Sequence, residues 1–144
     1  MINIGYLFET KSNNNKIILL KDFDEINQFV DKYDNVNYKK DSYDIWALMI
    51  NNNFVGGAFI NKKPNIENYV KFNIHPKVSV SWIIIDKEFQ GMGYGNKLLD
   101  KILANYDNIA LTTNYKSSKE AIHLYERKGF KVISQKGKTK YWFK

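Results

Sequence analysis

Ile83-Ile84-Ile85-Asp86-Lys87-Glu88-Phe89-Gln90-Gly91-Met92-Gly93-Tyr94-Gly95-Asn96-Lys97-Leu98-Leu99 decides the fold. It reads as a strand, a glycine-rich turn and the start of an amphipathic helix. Without Cβ atoms at Gly91, Gly93 and Gly95, successive backbone amides can face one concavity at a helix N-terminus, where the helix dipole adds positive potential. Such a place binds phosphate. Spacing excludes two nucleotide cradles: a G-x-G-x-x-G dinucleotide turn needs glycine at Asn96, and a P-loop needs G-x-x-x-x-G-K-[ST]. The pattern present is Q-x-x-G-x-G, carried by Gln90, Gly93 and Gly95.

Outward from this stretch the chain alternates between strands and helices. The run 78–85 is rich in β-branched residues and predicts a strand buried on both faces. Downstream, the pattern predicts a helix over 94–105, a strand near 109–113 and a helix over 118–128. A closing hairpin then pairs 130–134 with 139–143 around Lys136-Gly137-Lys138. Upstream, 3–9 and 16–20 form an opening hairpin across an Asn-rich turn. Asp22 caps a helix with an apolar stripe of Phe23, Ile26, Phe29, Val30 and Tyr33, and 34–42 is a polar loop. Runs 43–50 and 54–60 make a hairpin through Asn51-Asn52-Asn53. Within it, Gly56-Gly57 signals a bulge or a close backbone approach. Residues 61–76, punctuated by Pro64 and Pro76, read as a long functional loop. The class is α+β, with a mostly antiparallel first half and a strand-helix-strand crossover in the second.

At 144 residues the chain fits a single domain spanning 1–144. Its 44% hydrophobic and 26% charged residues suit a globular protein rather than a disordered or membrane-spanning one. No apolar run approaches the ~20 residues of a membrane helix, and 1–20 lacks a signal-peptide pattern, so the expected location is cytoplasmic with no membrane partner. There is no Cys, and His75 and His123 stand far apart, so the expected chemistry is metal-free. Twenty-two Lys and Arg against 15 Asp and Glu give +7, which attracts an anionic partner. An Asn-, Lys- and Ile-heavy coding bias explains the same excess.

A second motif lies nearer the C-terminus. Ser118-Lys119-Glu120-Ala121-Ile122-His123-Leu124-Tyr125-Glu126-Arg127-Lys128-Gly129-Phe130 matches N-x-x-A-x-x-L-Y-x-x-x-G-F at Ala121, Leu124, Tyr125, Gly129 and Phe130. With the glycine turn it covers roughly the C-terminal half of the chain, and the two together resemble the GNAT superfamily of N-acetyltransferases. One departure is Ser118, where the family usually has Asn. Either Ser117 or Ser118 suits the helix cap.

The resemblance implies a GNAT-like acyltransferase fold: a central mixed, mostly antiparallel sheet of six to seven strands flanked by helices, in which the strand before the glycine turn splays from its parallel neighbour. It implies acetyl-CoA (coenzyme A) as co-substrate and direct attack by a primary amine in a ternary complex, the amine belonging to a small molecule, peptide or protein. Cofactor contacts then map onto Ile83, Ile84, Ile85, Gln90, Gly91, Met92, Gly93, Tyr94, Gly95, Asn96, Ser118, Ala121 and Tyr125. Tyr125 occupies the position of the family's general acid, and taken without the motif it reads as a core aromatic beside Ala121 and Leu124. The sequence offers no obvious carboxylate base. A water relayed by Ser81 and Thr113, or His75 from the long loop, are alternatives, and an exposed loop residue is the simpler reading of His75. Expected acceptor-site walls are Tyr33, Tyr38, Tyr43 and Trp46, with Asp31, Asp34, Asp41 and Asp44 nearby.

Competing readings are a catalytically silent acyl-CoA-binding or sensor module and a basic nucleic-acid binder. No nucleic-acid motif supports the second, so no nucleic-acid partner is expected. The expected assembly is a monomer or homodimer.

Overall fold

The computed structural model describes residues 14–33 and 42–144. The expected strand at 3–9 and the segment 34–41, with Tyr38, Asp34 and Asp41, lie outside the described residues.

Among the described residues seven strands form one sheet: β1 (Asn15–Leu19), β2 (Tyr43–Ile50), β3 (Asn53–Asn61), β4 (Val78–Ile85), β5 (Ile109–Thr113), β6 (Lys131–Lys136) and β7 (Thr139–Phe143). The helices are α1 (Phe23–Lys32), α2 (Glu67–Val70), α3 (Tyr94–Asn105) and α4 (Lys119–Arg127), with a 3-10 turn at Lys87–Phe89. Strand order is β1-β2-β3-β4-β5-β7-β6, every neighbour pair being antiparallel except the parallel β4–β5 pair. The α+β class and the mixed sheet are as the sequence implies.

Local chemistry sets the ends of these elements. Asp22 caps α1, its carboxylate accepting from the amides of Asp24 at 2.9 Å and Glu25 at 3.1 Å. Asn51 and Asn52 turn the β2–β3 hairpin with φ of 52° and 66°, the left-handed pair that a two-residue turn needs. Ser118, rather than Ser117, caps α4 by accepting from the Ala121 amide. Ser117 instead accepts from the Asn114 amide.

Two bulges shape the sheet centre. In β3 the register passes from Leu48↔Gly56 to Met49↔Phe54, leaving Val55 without an opposite residue. In β4 it passes from Ile60↔Val80 to Phe59↔Trp82, which makes Ser81 the extra residue. A bulge bends its strand and re-aims the residues beyond it. Past Ser81, Trp82 stacks on Phe59 on the α1 face, while Ile83 and Ile85 pack on the α3–α4 face. Pairing with β5 stops just before this bulge: Val78↔Ile109 and Ser79↔Ala110 are its two rungs. β4 and β5 therefore diverge, as the resemblance implies.

One core, around Leu98, Leu99, Ile102, Ile109, Leu111 and Trp142, sits between the sheet and α3–α4. The other, around Phe29, Ile45, Ala47 and Phe59, sits under α1. Two expectations need correction. β4 is not buried on both faces, because Ser81 and Ile84 are exposed where the sheet opens. The 61–76 segment is not all loop: it carries α2, pinned by buried Tyr69, whose hydroxyl meets the carbonyls of Leu111 at 3.2 Å and Trp142 at 3.0 Å.

Gly57 marks a close approach. A Cβ there would lie 2.4 Å from the Trp46 carbonyl oxygen and 2.6 Å from Phe29 Cζ. Gly57→Ala is expected to lower stability by about 2 kcal/mol through overpacking. Urea unfolding checks this, and an unchanged midpoint contradicts it.

Candidate active site

A cleft of about 750 Å³ opens where β4 leaves β5, on the α3–α4 face of the sheet. Its lining comes from Ile83, Ile84 and Ile85 of β4; Phe89, Gln90, Gly91 and Gly93 of the turn; Tyr94 and Gly95 at the start of α3; and Ser118, the cap of α4, with Glu120, Ala121, Leu124 and Tyr125 of that helix.

The glycine turn has the geometry of an anion cradle. Gly91 and Gly93 have φ of 79° and 84°, the left-handed region that favours glycine. A Cβ at either would meet nothing within 4 Å, so the space in front of the backbone is open. Gly93 is the N-cap of α3, and among the described residues no side chain caps that end of the helix. The first turn of α3 therefore presents amides and the positive dipole end to the cleft. Gln90 steadies the turn, its Nε2 donating to the Ile85 carbonyl at 2.8 Å.

Tyr125 projects from α4 against Phe130 and Trp142. Burial raises its phenol above the ordinary value, which keeps it protonated at neutral pH. Its hydroxyl has no hydrogen-bond partner among the described residues, while the side chain lines the cleft. This leaves a neutral O–H for whatever enters.

A second, polar opening of about 440 Å³ lies on the other side of the splay. It is lined by Asn61, Asn65 and Asn68, by Tyr69 and Tyr141, by Ser79–Ser81 and by Ala110–Thr112. The two openings converge on β4, with Ser81 at one and Ile83 at the other. The Ser79 and Ser81 hydroxyls are 3.3 Å apart. Burial, with a contribution from Tyr141, pushes the Tyr69 phenol up to about 12.

Of the expected cofactor contacts, the cleft gathers all but Met92 and Asn96, which are exposed outside its lining. Phe89, Glu120 and Leu124 also line it, beyond those the sequence points to; of the three, Leu124 is a motif position. The expected acceptor residues do not assemble. Trp46 is buried in the core under α3 and donates through Nε1 to Tyr106 Oη at 2.9 Å. Thr113 is buried too, its Oγ1 accepting from Trp142 Nε1 at 2.8 Å, which ties it into the core rather than to a relay. Tyr33 packs on Trp82 and donates to Asp86 Oδ1 at 3.0 Å, and burial and that carboxylate raise its phenol. Tyr43 packs against Phe59, and His75 is exposed. Of Tyr33, Tyr43, Trp46, His75, Ser81 and Thr113, Ser81 alone borders the second opening.

A family model described as an acetyltransferase (GNAT) domain matches residues 41–132, well over half the chain. The chain belongs to the GNAT acetyltransferase family. No curated protein matches it significantly in sequence. Among solved structures, protein PH1933 from Pyrococcus horikoshii OT3 is similar at 24% identity, with 90% of this chain and 97% of that one covered and a TM-score of 0.64. Naa50 from Arabidopsis thaliana, in complex with the bisubstrate analogue CoA-Ac-MVNAL, aligns over 90% and 97% of the two chains at 16% identity and a TM-score of 0.65. A GNAT family acetyltransferase from Elizabethkingia anophelis with acetyl-CoA bound aligns over 91% and 97%, at 16% and 0.60. At these identities the structures speak for the GNAT fold. Among the described residues no group of His, Asp and Glu is placed to hold a metal ion, and no helix is long and apolar enough to cross a membrane.

The cradle's openness gives a paired expectation for acetyl-CoA. Gly95 lies in the first turn of α3, where an added Cβ would reach Leu124 Cδ2 at an ordinary 3.9 Å. Gly95→Ala should therefore fold and bind normally. Gly93→Val forces a branched residue to positive φ and places its side chain before the amides, which should weaken binding by about tenfold or more. Calorimetric titration measures both, and equal affinities would contradict the cradle.

Proposed function

We propose that the chain is a single-domain, cytoplasmic N-acetyltransferase that moves the acetyl group of acetyl-CoA to a primary amine by direct attack in a ternary complex. The observation that carries this reading is the cleft itself. An uncapped helix N-terminus, a left-handed glycine pair and a neutral tyrosine hydroxyl line one side of the β4–β5 divergence, and a polar opening lies on the other. The acetyl-CoA bound to the Elizabethkingia relative and the CoA-peptide analogue bound to Naa50 support the choice of donor.

In this reading the amides at Gly91, Gly93 and the start of α3 hold the diphosphate. Main-chain groups of Ile83–Ile85, on the side that β5 leaves unpaired, hold the pantetheine arm. Ala121 gives the arm room, and Ser118, whose Oγ already accepts from the Ala121 amide, contacts it from the cap. Acetyl-CoA supplies a thioester carbonyl and a thiolate leaving group. Tyr125 donates its O–H toward the departing sulfur. Its phenol lies above a thiol's ~8.5, so it works chiefly by hydrogen bonding, with full proton transfer completed by solvent.

The amine enters from the face opposite the cofactor, past Ser79, Ser81 and Thr112. At neutral pH an alkyl ammonium of pKa ~10.4 must lose a proton at a cost of about 4–5 kcal/mol, and a water held at Ser81 carries that proton out. Thr113 takes no part, because its hydroxyl is bonded to Trp142 inside the core.

Tyr125→Phe is expected to lower kcat by about 10²-fold while leaving acetyl-CoA affinity unchanged, as loss of a transition-state donor should. In the wild type, the raised phenol stays protonated as pH climbs through 9, so kcat should show no alkaline fall below pH 10 from this group. Thiol release over a panel of primary amines measures both. Full turnover in the variant would remove Tyr125 from the reaction, and tight binding without release from any amine would make the protein a sensor.

A further inference from the structure

Asp86 is the first residue after β4 and the last before the turn that leads to the cradle. Its carboxylate is gripped at both oxygens by the end of α1. Lys32 Nζ pairs with Oδ2 at 3.1 Å, and the Tyr33 hydroxyl donates to Oδ1 at 3.0 Å. Its main chain is held as well: the Asp86 amide donates to the carbonyl of Val55, the bulged residue of β3, at 2.8 Å. The Asp86 carbonyl accepts from Phe89 at 2.9 Å, closing the 3-10 turn. Lys32 also donates to the Phe54 carbonyl beside that bulge. Four pieces of chain, α1, the β3 bulge, the end of β4 and the start of the turn, thus meet at one residue, α1 through its carboxylate and the bulge and turn through its main chain. None of Lys32, Tyr33 and Asp86 lines the cleft.

We infer that Asp86 is a positioning residue, held by Lys32 and Tyr33, that fixes where the glycine turn leaves the sheet and so aims the Gly91–Gly95 amides at the diphosphate. The inference rests on the acetyl-CoA reading of the cleft. Four residues separate Asp86 from Gly91, and they form a short 3-10 turn followed by Gln90, whose side chain is anchored back on Ile85. A lever that short transmits a shift at its base. Releasing Asp86 lets the turn sample positions in which its amides no longer converge, which weakens anion binding without emptying the core.

The fold contains a matched control. Asp44 is a carboxylate of similar exposure, 22% against 19% for Asp86, and it too is held by a lysine and a tyrosine. Lys62 pairs with its Oδ1 at 3.1 Å and the Tyr106 hydroxyl donates to its Oδ2 at 2.5 Å. That second cluster sits at the C-terminal end of α3, away from the turn. Loss of either cluster removes the same bonds, but loss of Asp86 alone should reach the cradle.

The test compares Asp86→Ala and Tyr33→Phe with Asp44→Ala, by acetyl-CoA titration and by the amide resonances of Gly91 and Gly93 in the ligand-free protein. Asp86→Ala is expected to raise the dissociation constant about tenfold and to shift both glycine resonances. Tyr33→Phe, which keeps the Lys32 pair, should do so about threefold, and the double variant should show less than the product of the two effects. Asp44→Ala should change neither readout, even where its loss of thermal stability equals that of Asp86→Ala. Unchanged resonances and affinity in Tyr33→Phe and Asp86→Ala, or equal effects from Asp44→Ala, overturn the inference. Failure of the wild type to bind acetyl-CoA overturns the reading beneath it, while the ligand-free resonances still report on the clamp.

Discussion

Ser81 has no opposite residue on β3, and this one extra residue governs the geometry of the site. Upstream of it, Val78 and Ser79 pair with β5 in an ordinary parallel ladder. That ladder ends at Ser79, and downstream of Ser81 the strand is bent and its facing is reset. An unpaired backbone group buried away from water costs as much as a lost hydrogen bond, so an open stretch inside a sheet persists only where water or a ligand can reach it. Here both sides of the divergence are open. The apolar-walled cleft faces α3 and α4, and the polar one faces α2. The two openings thus approach β4 from either side of the bulge.

The cleft face then combines two features that act on the same charge. The left-handed glycines bare their amides, and the twelve-residue helix after them adds its dipole without a side-chain cap to neutralise it. Charge at a helix terminus is worth about 0.3–1 kcal/mol when exposed and up to ~2 kcal/mol when partly buried. A diphosphate meeting several such amides at once gathers more than any one of them offers. Tyr125 borders the same cleft from α4, held by aromatic contacts with Phe130 and Trp142 that leave its hydroxyl without a hydrogen-bond partner among the described residues. The rigid contacts fix the ring, and burial keeps the oxygen protonated.

Features specified by near neighbours in the chain are legible in the sequence. The limits of α3 and β5 fall where periodicity and the glycines place them, and Asp22 caps α1 as its spacing from Glu25 suggests. Two short motifs name most of the cleft lining because each is a contiguous stretch. Features set by distant partners are not legible. Val-Ser-Val-Ser-Trp alternates normally, and only pairing with β3 reveals Ser81 as the extra residue. Helix α2 is four residues long; Asn65 Oδ1 accepts from its first amide at 3.0 Å, and the Tyr69 hydroxyl ties it to distant carbonyls on β5 and β7. Alternation assigns strand faces without saying which helix covers each, so the sequence groups Trp46 and Tyr33 as walls of one pocket. The structure puts them on opposite faces of the sheet.

Residue-resolved hydrogen–deuterium exchange with and without acetyl-CoA tests the account most directly, because it reads the main-chain amides themselves. Slowed exchange confined to Ile83, Ile85, Gly91, Gly93 and the first turn of α3 is the predicted result. Protection elsewhere on the surface, with these amides exchanging as before, would contradict it.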